Sequence, residues 1–425
     1  MRLFQTKTHY ISQIFNVNIQ VYHLDNIKAC YFSSPDQSNQ NPIHRSNMVN
    51  PIFSLYWVWA IFFFASESDG FRDRGAVLGH HSPPAIFVFG DSLSDTGNLM
   101  AAFPFLADAE NSPYGSTFFH GPSGRYSDGR LIIDFMASKW GFPFVEPYFE
   151  NIVPNYRRGI NFAVSGATAR NVTEPIPFFL PLQTDQFVRF KRSVNASLNS
   201  EHKSDCLVSH VPEVKSFEDG LYMIFIGVND ILNSLFLNAS APPFVMEEIV
   251  PRVISSIFKA VQDLYKEGAK NFIVFNIPAI GCTPMVLTLG SSGPFNSTDG
   301  LGCLKDYNQV ARYSNNELEK ALAILTHQIE HINIMVADIY GFMLKTIANP
   351  ARYGFDDRAK FKACCGFGGD PFNYNPLVPC GGNPAAKACS QPSKYTSWDG
   401  LHFTDAFNHR FVEEMMKSTP FPKFY

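Results

Sequence analysis

Charge is scarce in this chain of 425 residues: 17% of them are Asp, Glu, Lys or Arg, the formal net charge is -4 and the isoelectric point is near 6.3. There is no basic stripe and no block of like charge. That excludes nucleic acid as a partner and leaves no polybasic patch to draw the chain to a membrane surface. Cys-x-x-Cys is also absent, and the adjacent Cys364-Cys365 does not supply zinc-ligand spacing, so no metal is expected. Gly-x-Ser-x-Gly occurs nowhere, which argues against a nucleophile-elbow serine. No internal repeat and no linker divides residues 69–425, which are read as one domain. The long uncharged apolar run, residues 52–65, is shorter than the roughly 20 residues a spanning helix needs, so stable membrane insertion is not expected.

That run instead has the character of a signal-peptide core. Ser66-Glu67-Ser68 follows it with small residues two apart, placing cleavage before Asp69 and the signal peptide at residues 48–68. Residues 1–47 show no core pattern and read as a non-native or disordered extension, with Met48 as the expected translation start; an uncleaved anchor or a genuine extension are the alternatives. Four Asn-x-Ser/Thr sequons, at Asn171, Asn195, Asn238 and Asn296, agree with a secreted, extracellular product. All cysteines except Cys30 follow the cleavage site. Cys282 and Cys303 close a loop in a Gly/Ser-rich stretch and are expected to pair, while Cys364, Cys365, Cys380 and Cys389 crowd a Gly- and Pro-rich stretch that should hold at least one bridge. Seven is odd, and Cys206 is the candidate for the unpaired thiol.

What is present is apolar: 45% of the residues, with 41 phenylalanines that are read as core rather than as a substrate cleft. Apolar runs at 85–89, 159–167, 221–230, 271–276 and 332–337 read as five buried parallel strands. Helical spacing separates them, at 131–141, 244–265 (with Pro251 expected to kink or restart the helix) and 304–326. Strands alternating with helices predict an α/β fold, a flavodoxin-like three-layer α/β/α sandwich on a five-stranded parallel sheet.

The first strand runs into Gly90-Asp91-Ser92-Leu93-Ser94-Asp95-Thr96-Gly97-Asn98. Open α/β sheets bind ligands just past their carboxyl strand ends, so Ser92 stands where a nucleophile would, although a serine there also serves as a helix cap. A hydroxyl needs a base within hydrogen-bond reach, and the base needs an orienting partner. Of twelve histidines, His402 alone has a carboxylate three residues earlier, Asp399. Asp405 and His409, four apart on the next helix, form a rival pair better read as an exposed ion pair.

The nine residues from Gly90, the stretch Gly121-Pro122-Ser123-Gly124-Arg125-Tyr126-Ser127-Asp128-Gly129-Arg130, and Asp399-x-x-His402 near the C-terminus together resemble the plant-type GDSL esterase/lipase family of the SGNH hydrolase superfamily. The resemblance runs from about Pro84 to the C-terminus. It implies the SGNH hydrolase fold with strand order 2-1-3-4-5, a catalytic set of Ser92, Asp399 and His402, and an oxyanion hole made by the backbone N–H groups of Ser92 and Gly166 with the side-chain amide of Asn229. Gly166 matches the family in Asn-Phe-Ala-x-x-Gly-Ala and Asn229 in Gly-x-Asn-Asp. The implied activity is a secreted serine esterase or lipase that works through an acyl-enzyme, as a monomer and without a cofactor. Capture of the acyl group by an acceptor alcohol, or a catalytically silent glycan-binding module, are the rival functions. Long-chain lipid, acetylated cell-wall polysaccharide and phenolic or choline esters stay open as substrates.

Overall fold

Ile86–Gly90 (β1) is buried at every residue, because its neighbours on both edges and the layers above and below leave no side open to water. A computed structural model describes residues 82–149, 154–173, 175–200 and 205–418. Met48, the expected leader at 48–68 and the extension before it lie outside the described residues.

β1 is flanked by Gly159–Asn161 (β2) and Leu221–Phe225 (β3), followed by Asn271–Phe275 (β4) and Asn333–Ala337 (β5). All pairs are parallel, in the order β2-β1-β3-β4-β5. Register puts Phe87 beside Tyr222, and Tyr222 beside Phe272. Because strand side chains alternate between faces, these rings share one face. There Phe187 of helix Leu180–Leu198 (α2) meets Phe87 and Tyr222 edge-on, with centroids 5.4 and 5.5 Å apart. Phe225 and Phe275 stack on the opposite face at 4.6 Å, and Phe411 of helix Asp405–Ser418 (α7) packs on Phe275. Helices Val250–Lys266 (α4) and Lys305–Gln328 (α5) complete the first layer with α2, whereas Ile132–Lys139 (α1) and Ile339–Ala348 (α6), the latter through Phe342 against Phe411, pack beside α7 on the second. The result is the expected three-layer sandwich.

Two strands stop earlier than their apolar runs. β2 ends at Asn161, whose side-chain amide donates to Ser94 O and Thr96 Oγ1 at 2.6 and 2.9 Å, so the chain leaves the sheet to follow the turn after β1. β3 ends at Phe225; Gly227, at φ 111°, turns the backbone into the short helix Val228–Leu232 (α3). Pro251 lies in the first turn of α4, directly after a π-turn at Val245–Ile249, and so restarts the helix instead of kinking it.

Among the described residues, three disulfides join Cys282 to Cys303, Cys364 to Cys389 and Cys365 to Cys380. The last two staple a region whose only strands are Cys365–Gly366 (β6) and Lys387–Ala388 (β7), two residues each. The side chain of Cys206 lies outside the described part of the structure. No described helix is long and apolar enough to cross a membrane.

Candidate active site

Gly90 closes β1 against its neighbour so tightly that a Cβ there would stand 2.3 Å from the Phe225 carbonyl oxygen. The chain then turns, with Ser94 and Asp95 N–H donating back to Asp91 O at 3.0 and 2.9 Å, and Ser92 is delivered just past the sheet. Gln183 of α2 brackets the exit, accepting from Gly90 N–H and donating to Gly90 O, both at 2.8 Å. A buried strand end thus fixes the serine.

His402 comes from a loop 310 residues away, and its Nε2 lies 2.8 Å from Ser92 Oγ. Its Nδ1 is 2.6 Å from Asp399 Oδ2. The loop is held by its own acid, since Asp399 Oδ1 accepts from the backbone N–H groups of Leu401 and His402 at 3.0 and 2.9 Å. Trp398 N–H donates to His402 O at 2.8 Å, closing the turn. Burial pushes the Asp399 carboxyl upward, but the facing His402 and these N–H donors outweigh it and hold the group down at about 2. An ionised Asp399 can only accept, which favours the imidazole tautomer that carries its proton on Nδ1 and turns a lone pair on Nε2 toward Ser92 Oγ.

Two tyrosines that sequence reasoning missed complete this arm. Tyr114 donates its hydroxyl to Asp399 Oδ2 at 2.8 Å, and the ring of Tyr126 lies 4.8 Å from the His402 imidazole. Tyr114 stands 285 positions from Asp399, and no spacing rule links two such residues. Tyr126 is placed by Arg125, whose guanidinium grips buried Asp134 of α1 through two hydrogen bonds at 2.7 and 2.9 Å.

Asn229 opens α3, and its amide donates one hydrogen to Ala167 O at 2.9 Å. Its second amide hydrogen has no partner among the described residues. Ser92, Asn229 and His402 line one narrow pocket, walled by Leu93, Val228, Pro278, Ile280, Leu401 and Phe403. Gly166, at φ 81°, sits in the turn beyond β2 one residue before Ala167; a Cβ there would come within 2.8 Å of Ile176. Asp91 also borders the pocket. It is fully buried, burial pushes its carboxyl up to about 7, and Oδ2 has no hydrogen-bond partner among the described residues.

The rival pair is not formed. Asp405 turns inward to Arg130, accepting from its backbone N–H and guanidinium at 2.7 and 3.0 Å, while His409 stacks on Phe135 and lies 3.7 Å from Glu413. The first-turn carboxylate is captured by a buried-side arginine before it can face the next turn. Of the sequons, Asn171, Asn238 and Asn296 are exposed. Asn195 is half-buried on α2, and its Oδ1 has no partner among the described residues.

A parallel α/β sheet with Ser92, His402 and Asp399 linked in series past its carboxyl edge has the architecture of a serine hydrolase. The chain belongs to the GDSL-like lipase/acylhydrolase family, whose model matches residues 86–415. Two GDSL esterase/lipases of Arabidopsis thaliana are 36% and 38% identical to it over 354 residues each; the alignments cover 80% and 82% of this chain and 89% and 91% of those proteins. An esterase of Hevea brasiliensis is 35% identical over 394 residues, 89% of this chain and 92% of its own. The protein is a carboxylic ester hydrolase.

Proposed function

We propose that the protein hydrolyses its esters through an acyl-enzyme on Ser92, with His402 as general base and Asp399 as the residue that orients it. The observation that carries this is the unbroken series of short contacts, 2.8 Å from Ser92 Oγ to Nε2 and 2.6 Å from Nδ1 to Asp399. His402 takes the hydroxyl proton as Ser92 Oγ attacks the ester carbonyl. The negative charge that develops on the carbonyl oxygen is met by the N–H groups of Ser92 and Gly166 and by the free amide hydrogen of Asn229. Collapse of the tetrahedral intermediate breaks the C–O bond, and the alcohol leaves with the proton from His402. Water, deprotonated by the same imidazole, then releases the acid and restores Ser92.

We further propose that the protein enters the secretory route. Three disulfides, which persist in oxidising compartments, and three exposed sequons support this.

Kinetics on p-nitrophenyl acyl esters of increasing chain length test the mechanism. Ser92→Ala and His402→Ala should each lower kcat by about 10⁴-fold or more, and the double variant should be little worse than either, because nucleophile and base act as a unit. Wild-type turnover in Ser92→Ala would overturn the assignment. Peptide mapping of the purified protein should find glycan on Asn171, Asn238 or Asn296; bare sequons throughout would count against secretion.

A further inference from the structure

The turn that carries Gly166 is tied down on both flanks by buried carboxylates that the reaction scheme does not use. On one flank Ser165 N–H donates to Asp95 Oδ2 at 2.7 Å. The same carboxylate accepts from the backbone of Gly97, Asn98 and Leu99, at 2.8, 2.6 and 3.1 Å. On the other flank Ala169 N–H donates to Asp230 Oδ2 at 2.6 Å, and Arg170 reaches Asp230 Oδ1 through its backbone N–H at 3.2 Å and its Nε at 2.8 Å.

Placement gives these bonds their meaning. Asp95 lies three residues after Ser92, and Asp230 directly follows Asn229. Each carboxylate therefore leaves the same short segment as one proposed oxyanion donor and crosses to the segment that holds another. Both are fully buried, a costly location for a carboxylate unless its oxygens are filled with donors. Here all four oxygens are filled: Asp95 takes three backbone N–H groups from its own helix start and one, Ser165, from across the gap, while Asp230 takes two backbone N–H groups and a guanidinium N–H from the far flank of the Gly166 turn. Apolar residues of similar size would close the same space without setting the separation of the two segments. A loop glycine with φ 81° has wide conformational freedom, so its N–H direction must be imposed from outside.

We propose that Asp230 and Asp95 are positioning residues that brace the Gly166 turn from both sides, so that the Gly166 N–H and the Asn229 amide are already aimed at one point beside Ser92 before substrate arrives. The proposal rests on the assignment of Gly166 and Asn229 as oxyanion donors. Preset donors are effective because they need no reorganisation when the charge appears. Loosening the brace should then act on the transition state and leave ground-state binding almost untouched.

The test is a double-mutant cycle with kcat and KM measured on a short-chain p-nitrophenyl ester for Asn229→Ala, Asp230→Asn and the combination. Asn229→Ala should lower kcat by about 10²–10³-fold. Asp230→Asn should lower kcat about tenfold with KM within about twofold, since it shifts donors without deleting one. In the Asn229→Ala background the same change should cost less than about threefold, because part of what it aligns is already gone. Equal losses in both backgrounds, or a kcat for Asp230→Asn within about twofold of wild type, would overturn the brace. Wild-type kcat in Asn229→Ala would instead overturn the oxyanion assignment beneath it. If circular dichroism shows Asp230→Asn unfolded, Arg170→Gln replaces it in the cycle. It should cost about threefold alone and less in the Asn229→Ala background, and additive losses would again overturn the brace.

Discussion

The two arms of the active site are built by different physics. Ser92 hangs from a strand with no exposed residue, paired on both edges in a sheet whose faces are covered by packed aromatic rings. His402 and Asp399 hang from a region with two-residue strands, where a satellite cluster of Ala109, Tyr114, Cys364, Cys365, Cys380 and Trp398 replaces the main core. Cross-links do there what hydrophobic burial does under Ser92. Cys364 and Cys365 N–H donate to the carbonyls of Ser397 and Trp398 at 3.0 and 2.6 Å, so the stapled cysteines hold the backbone immediately before Asp399. Ser92, the proposed nucleophile, should therefore hold its place under conditions that displace His402, the proposed base.

Cutting the staple is the strongest way to break this contrast. The paired change Cys365→Ser and Cys380→Ser opens a link between residues 15 apart, whose loss removes about 3 kcal/mol of loop constraint. That should loosen the base arm locally rather than unfold the sheet. We expect kcat to fall more than about tenfold while far-UV circular dichroism at assay temperature stays that of wild type. Full activity in the serine variant would show that packing around Trp398 alone positions Asp399.

A subtler change sharpens the contrast within the base arm. Tyr114→Phe keeps the ring against Trp398 and Tyr126 but removes the hydroxyl that donates to Asp399. The remaining donors to Asp399 all come from its own loop. We expect kcat to drop about three- to tenfold with KM unchanged, the scale of one hydrogen bond to a charged group. Kinetics indistinguishable from wild type would mean that the loop orients its acid unaided.

The smallest effect lies under Ser92 and reads in stability. Asp91 is held up at about 7 by burial, well above its ordinary value of 3.8. Between those values the folded state binds a proton that the unfolded state does not, so this group's stabilising contribution is full below about pH 4 and lost as pH rises through about 7. Asp91→Asn keeps an acceptor for Leu93 N–H, 3.1 Å away, and carries no charge. Its melting temperature should exceed wild type by a few degrees at pH 8, with a smaller gain at pH 5. A gain that is the same at both pH values would show that Asp91 does not titrate in this range.

Much of this was legible in the residues. Buried parallel strands read as unbroken apolar runs, so the five strands of the main sheet and the fold class follow from composition along the chain. Ser92 was visible because an apolar run ended at a glycine, and His402 because its acid lies only three residues away. Strand ends were less legible. Apolar residues continue past Asn161 and Phe225, where side-chain hydrogen bonds and a left-handed glycine, rather than hydrophobicity, stop the ladder. The roles of Tyr114, Asp95 and Asp230 were not legible, since the partners that matter, Asp399, Ser165 and Ala169, are distant in sequence and a Tyr or Asp alone carries no period.

By itself, then, the sequence determined the periodic and the local: five strands of one parallel sheet, the helices between them, and an acid and an imidazole close enough in the chain to meet in one loop; it did not determine that β5, expected to be buried, is half-exposed because it lies at the sheet edge. Tertiary structure alone decided that this loop stands against Ser92 across 310 residues, that Tyr114 reaches Asp399, and that two buried carboxylates hold the Gly166 turn. The reason is physical. Local patterns are set by backbone geometry repeated every two or 3.6 residues, whereas a hydrogen bond between distant segments exists only once burial has removed water as the competing partner.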